Sequence, residues 1–178
     1  NFLEFLIDNY EDILDRKTTV LLKMVKICAK IKADVVDKDE KEGGLRKILN
    51  LGHTFAHGIE KLCHISHGKA VVIGMNMAFK LSLENNLIEE EYYKQFLSLC
   101  EKFNLPITFE YENVSEIFNI MKNDKKNSFL KINLVLPVDN GRVKVFDNIK
   151  EELILKVIKA EVCSVMRQVK VVHRMLLR

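Results

Sequence analysis

Four histidines, His53, His57, His64 and His67, fall within fifteen residues of a chain that has five in all. The neutral imidazole ring is a common metal ligand. His53 and His57 are four apart, which puts two side chains on one face of a helix. Two imidazoles suit zinc, and with a distant carboxylate they would leave a coordination position open for catalysis. The pair by itself describes equally well two partly exposed helix histidines. His67 opens a very apolar run, where the start of a helix favours the neutral, metal-binding ring. A plain histidine near a helix cap is the alternative.

A polar run precedes the histidines: Lys32, Asp39, Glu40, Glu42 and Arg46, then Asn50. A phosphorylated, carboxylated ligand needs several cations and a bidentate guanidinium, which Lys32 and Arg46 could supply. The acidic residues could orient those cations. Composition alone describes a charged surface loop. Further on, Lys125 and Lys126 follow Asp124 and could reach an anion, or could be a solvated helix end. Cys63 lies near His64 and His67, so a metal or nucleophile role competes with that of a buried thiol.

These residues need helices to position them. Apolar spacing predicts a short helix over 2–14 and a second over 17–31, with Val20, Leu21, Met24, Ile27, Cys28 and Ile31 as its stripe. Residues 34–47 read as a charge-dense loop, with Gly43-Gly44 as a turn. A helix beginning near Asn50 or Gly52 carries His53 and His57. Ser66 is placed to cap the next, 67–85. Further helices are expected over 89–103 and 113–122 and at about 150–166. Ile132, Leu134 and Leu136 alternate ahead of Asp139-Asn140-Gly141, and Val143 and Val145 after it, a β-hairpin signal. The predicted fold class is mainly α, a multi-helical domain with one small hairpin. Residues 1–162 form the domain, and 163–178 are a basic, apolar tail without a clear cap.

With 178 residues the chain can bury a real core. Its net charge of +3 is modest and the signs are interspersed, which argues against nucleic acid. No run of about 18 apolar residues predicts a membrane span. Cys28, Cys63, Cys100 and Cys163 form no CxxC pair and read as reduced core thiols of a cytoplasmic protein. No βαβ series and no GxGxxG occur, so no dinucleotide-binding domain is expected within these residues. The chain starts without methionine or a signal sequence and reads as part of a longer polypeptide.

Taken in order, these strings resemble 3-dehydroquinate synthase. They are Lys32-Ala-Asp-Val-Val, Asp39-Glu-Lys-Glu42-Gly, Arg46, Leu49-Asn-Leu-Gly-His-Thr-Phe-Ala-His57 through Glu60, His67-Gly, Ala70-Val and Ile73-Gly-Met75. Asp124-Lys-Lys126 and Asn133-Leu-Val-Leu-Pro137 continue the likeness, which runs from about residue 1 to about 160. The resemblance implies a two-domain enzyme with NAD in its first half, and zinc (or cobalt) and much of the substrate site in a helical second half. It implies conversion of 3-deoxy-arabino-heptulosonate 7-phosphate to 3-dehydroquinate and phosphate in the shikimate pathway. By motif match, His53 and His67 are two zinc ligands, and His57 serves a proton or phosphate relay. Lys32, Arg46 and Asn50 bind substrate, Glu42 orients them, and one of Lys125 and Lys126 contacts substrate. Family members are commonly homodimers.

In that family the third zinc ligand is a glutamate in an ExxK string that would precede residue 1. The polypeptide on its own is therefore expected to be inactive, to hold zinc weakly or not at all, and to lack NAD contacts. Lys69 stands where the family commonly has glutamate, and a cation beside His67 would oppose a metal ion. Another sugar phosphate cyclase is one alternative. A non-catalytic helical module for oligomerisation or partner binding is the other.

Overall fold

The computed structural model describes residues 2–39, 44–123 and 132–162. In order these form α1 (Phe2–Asp8), α2 (Tyr10–Leu14), α3 (Thr18–Lys38), a 3-10 helix (Leu45–Asn50), α4 (His53–Cys63), α5 (His67–Glu84), α6 (Glu90–Lys102), α7 (Val114–Lys122), β1 (Leu134–Val138), β2 (Arg142–Phe146) and α8 (Glu151–Glu161). The mainly helical class with one hairpin is what the periodicity predicted.

Helix α5 is apolar on nearly every face, which a helix sustains only when neighbours cover it. On one side Ala70, Ile73, Met77 and Leu81 meet Phe55 and Ile59 of α4, Ile117 and Met121 of α7, Leu134 and Leu136 of β1, and Ile154 and Ile158 of α8. On the other, Phe79 enters a smaller cluster with Tyr93, Phe96 and Cys100 of α6. The Phe79 and Phe96 rings stack with centroids 4.4 Å apart.

Strands β1 and β2 pair antiparallel from Leu134 opposite Phe146 to Val138 opposite Arg142. The turn between them puts Asp139 and Asn140 at positive φ, where such residues are favoured. The Asp139 N–H donates to Leu87 O at 3.0 Å, and the Glu89 N–H to Asn140 Oδ1 at 3.1 Å, which ties the turn to the α5–α6 connection. All five residues of β1 are buried, so the expected alternation of inner and outer faces fails there.

Other differences have local causes. The helix expected over 2–14 divides at Asn9, whose side-chain amide donates to Phe5 O at 2.8 Å and competes with the helical pattern. Helix α3 runs to Lys38, through charges that predicted a loop. No Gly or Pro interrupts it before Gly43, and its charged side chains project into solvent. None of its residues is fully buried: Val20, Leu21, Met24 and Ile27 are partly covered, while Ile31 is exposed and Cys28 is exposed rather than part of the core. Ser66 sits at the start of α5 without a side-chain cap bond. The final helix ends at Glu161, and the tail 163–178 lies outside the described residues. No helix among them is long and apolar enough to cross a membrane.

Candidate metal and substrate site

The position of the histidines rests on a close approach of two helices. Gly52, at φ 80°, turns the chain from the 3-10 helix into α4. Gly74 of α5 packs onto that turn, and a Cβ added at Gly74 would lie 2.1 Å from Gly52 O. Thr54 Oγ1 donates to Asn133 O at 2.9 Å and pins the first turn of α4 to the chain entering β1. The first turns of α4 and α5 are thus held near each other.

This brings the rings together. His53 and His67 have ring centroids 5.4 Å apart, edge to face. His53 and His57 lie 6.3 Å apart, nearly perpendicular. His53 Nδ1 is 3.2 Å from Leu51 O. A carbonyl oxygen can only accept, so Nδ1 is the donor, and in the neutral ring Nε2 is the nitrogen with the lone pair. His67 Nδ1 is 3.0 Å from Glu60 Oε2, which in the neutral ring favours the same tautomer. Metal-binding imidazoles characteristically donate their second nitrogen to a carbonyl or carboxylate. His53 and His67 therefore fit a divalent metal through Nε2. Among the described residues no group of three His, Cys, Asp or Glu side chains converges on a common point. The pair is a partial set, open to ligands from outside these residues.

Glu60 was visible in the sequence without a role. It follows His53 by seven residues, two helical turns, which places it on the same face.

The other expected residues are placed as follows. Arg46 and Asn50 lie on the 3-10 helix that runs directly into the Gly52 turn. Asp39 Oδ2 accepts the backbone N–H groups of Gly44 at 2.7 Å and of Arg46 at 2.9 Å. That carboxylate thus shapes the loop ahead of the site instead of only steering a cation. Lys32 is exposed on α3, which packs against the 3-10 helix. Glu42, Lys125 and Lys126 lie outside the described residues.

Two doubtful residues separate cleanly from the histidines. Cys63 lines, together with Lys69, a cleft to which no histidine contributes. Burial pushes its thiol pKa up, against a nucleophilic or metal-binding thiolate. Lys69 is two residues beyond His67, so on α5 the two side chains point to different faces.

Sequence reading missed a polar network inside the helices. Glu161 is 2% exposed. It pairs with Lys80 and accepts from Asn76 Nδ2 at 3.0 Å, and Tyr93 OH donates to Asn76 Oδ1 at 2.8 Å. Asn76 Nδ2 also reaches Ile107 O at 3.1 Å. The network links α5, α6 and α8. A glutamate near a helix end carries no sign in sequence of being buried.

Residues 1–127 match the family model described as 3-dehydroquinate synthase C-terminal. The chain is 43% identical over 162 residues to a 3-dehydroquinate synthase of Thermoanaerobacter sp., covering 89% of this chain and 45% of that protein. It is 38% identical over 161 residues to the 3-dehydroquinate synthase of Campylobacter hominis, covering 89% and 46%. It therefore spans less than half the length of these relatives. Among solved structures it is similar to a 2-epi-5-epi-valiolone synthase from Streptomyces hygroscopicus subsp. jinggangensis with NAD+ and Zn2+ bound. That likeness has a TM-score of 0.78 at 16% identity, over 89% of this chain and 45% of the other. A 2-deoxy-scyllo-inosose synthase complexed with carbaglucose-6-phosphate, NAD+ and Co2+ gives a TM-score of 0.65 at 24% identity, over 78% and 41%. At these identities both likenesses concern the fold.

Proposed function

The chain belongs to the 3-dehydroquinate synthase C-terminal family, and from that premise we propose that it supplies the metal- and substrate-binding half of a 3-dehydroquinate synthase. Residues 1–162 are the working unit in this reading. The reaction converts 3-deoxy-arabino-heptulosonate 7-phosphate to 3-dehydroquinate and phosphate, with NAD held by a separate domain. The protein acts as a homodimer in the cytoplasm.

One observation supports this most: the His53 and His67 rings lie 5.4 Å apart, and each Nδ1 is engaged by an acceptor, Leu51 O and Glu60 Oε2. They would hold the zinc or cobalt ion. That ion, when bound, supplies Lewis-acid polarisation of a sugar hydroxyl. Leu51 O and Glu60 keep the two rings in the binding tautomer before any ligand arrives. His57, one helical turn from His53, takes the proton relay on the substrate side. Arg46 and Asn50, on the segment leading into α4, bind carboxylate and hydroxyl groups, with Lys32 adding charge. Glu42 orients these cations, and Lys125 or Lys126 contacts the substrate anion.

A chimera tests the reading. The corresponding part of the Thermoanaerobacter relative is replaced by this chain, and phosphate release is measured with NAD and zinc. Turnover of the heptulosonate phosphate that disappears in His53→Ala is the expected result. A folded chimera inactive on it but active on sedoheptulose 7-phosphate or glucose 6-phosphate would move the chain to another sugar phosphate cyclase. Folding without turnover of any of the three would favour a non-catalytic module.

A further inference from the structure

A cleft of about 540 Å³ opens beside the first turn of α5, and no histidine lines it. Its size falls in the range of small-molecule sites, roughly 300–1,000 Å³. The floor is apolar: Ile73 and Phe109 are almost fully buried, and Ile65 is half-buried beside them. The rim is polar and exposed, with Lys69 on α5 and Asn104 and Glu110 on the segment after α6 all lining the cleft. Among the described residues the Lys69 ammonium and the Glu110 carboxylate have no ion-pair partner.

We propose that this cleft binds a small monoanionic carboxylate with an apolar body. The floor removes the body from water, and Lys69 takes the carboxylate with the Asn104 amide as a further donor. Glu110 on the same rim sets an upper limit on charge. A dianion such as a phosphate monoester meets like-charge repulsion there, so the cleft is not a second copy of a sugar-phosphate site. The Cys63 thiol stays protonated beside it and adds apolar surface instead of charge.

Backbone amide shifts of the 178-residue chain, titrated with 3-phenylpropanoate, 3-phenylpropan-1-ol and phenyl phosphate, test the proposal. Saturable shifts at Ile65, Ile73 and Phe109 are expected, with the carboxylate at least tenfold tighter than the alcohol or the phosphate. Lys69→Met should weaken the carboxylate at least tenfold and leave the alcohol unchanged. Glu110→Gln should tighten both anions and narrow the gap between them. If Lys69→Met fails to fold, the Glu110→Gln titration carries the decision. Equal binding of carboxylate and alcohol, shifts centred on the histidines, or no saturation would overturn the proposal.

Discussion

Glu60 Oε2 lies 3.0 Å from Nδ1 of His67, bridging the end of one helix and the start of the next. Both side chains are partly solvated, at 40% and 55% exposure, so the contact adds little to stability, under about 1 kcal/mol. Its value is in orienting a ring.

The first prediction concerns that contact. Glu60→Gln should leave the urea midpoint nearly unchanged but weaken zinc or cobalt binding at His67 roughly 10- to 100-fold. Competition against a chromophoric chelator reads the affinity directly. An unchanged affinity would mean that Glu60 is a surface partner only.

Gly74→Ala should disrupt the approach of α5 to the Gly52 turn. The new methyl carbon meets a backbone oxygen, so the helices must separate, at a cost of about 1–3 kcal/mol or more. Gly68→Ala is the control. No atom lies within 4 Å of its added Cβ, so the variant should be neutral or slightly stabilising. Urea unfolding of the two variants checks the contrast.

Lys80→Met leaves the buried Glu161 carboxylate without its cation. Stranding a buried charge costs about 3–5 kcal/mol. Lys80 is 32% exposed, and solvent screening brings the expected loss nearer to about 2 kcal/mol. Adding Glu161→Leu to that variant should recover part of the loss, because no buried charge then remains. Thermal melts of the single and double variants decide it.

Alkaline pH should destabilise the fold. Burial raises the Cys100 thiol pKa from 9.0 to about 11 and pushes the Tyr93 phenol well above its ordinary 10.0. Between about pH 9 and 11 the unfolded chain has lost protons that the folded chain keeps. Stability is therefore full below pH 9 and falls as pH rises through that window. From pH 8 to 10.5 the urea midpoint should drop, by the equivalent of up to about 2 kcal/mol for Cys100. Cys100→Ala should flatten part of that slope.

Much of the fold was legible because its signals are local. The spacing of Ile73, Met77 and Leu81, the break at Asn85-Asn86, and the Asp139-Asn140-Gly141 turn each report on nearby backbone. The facing of His53 and His67 was legible through the ordered motifs around them. What was hidden depends on distant partners. Lys80, Asn76 and Glu161 meet across eighty-odd residues of chain, and none of them departs from an ordinary surface pattern. The separation of Lys69 from His67 needed only the helical angle between positions two apart. The continuation of α3 through Asp34 and Asp37 shows charge density being mistaken for a loop.

The proposed metal position requires that two imidazoles act as one site. Long-range 1H–15N spectra of the histidine rings, followed during a zinc titration of the 178-residue chain, test this most directly. Before zinc, His53 and His67 should both show the tautomer protonated at Nδ1. On addition, their Nε2 resonances should shift together with one binding curve, while His64 stays unchanged. Opposite tautomers, or one ring responding without the other, would contradict a shared metal position.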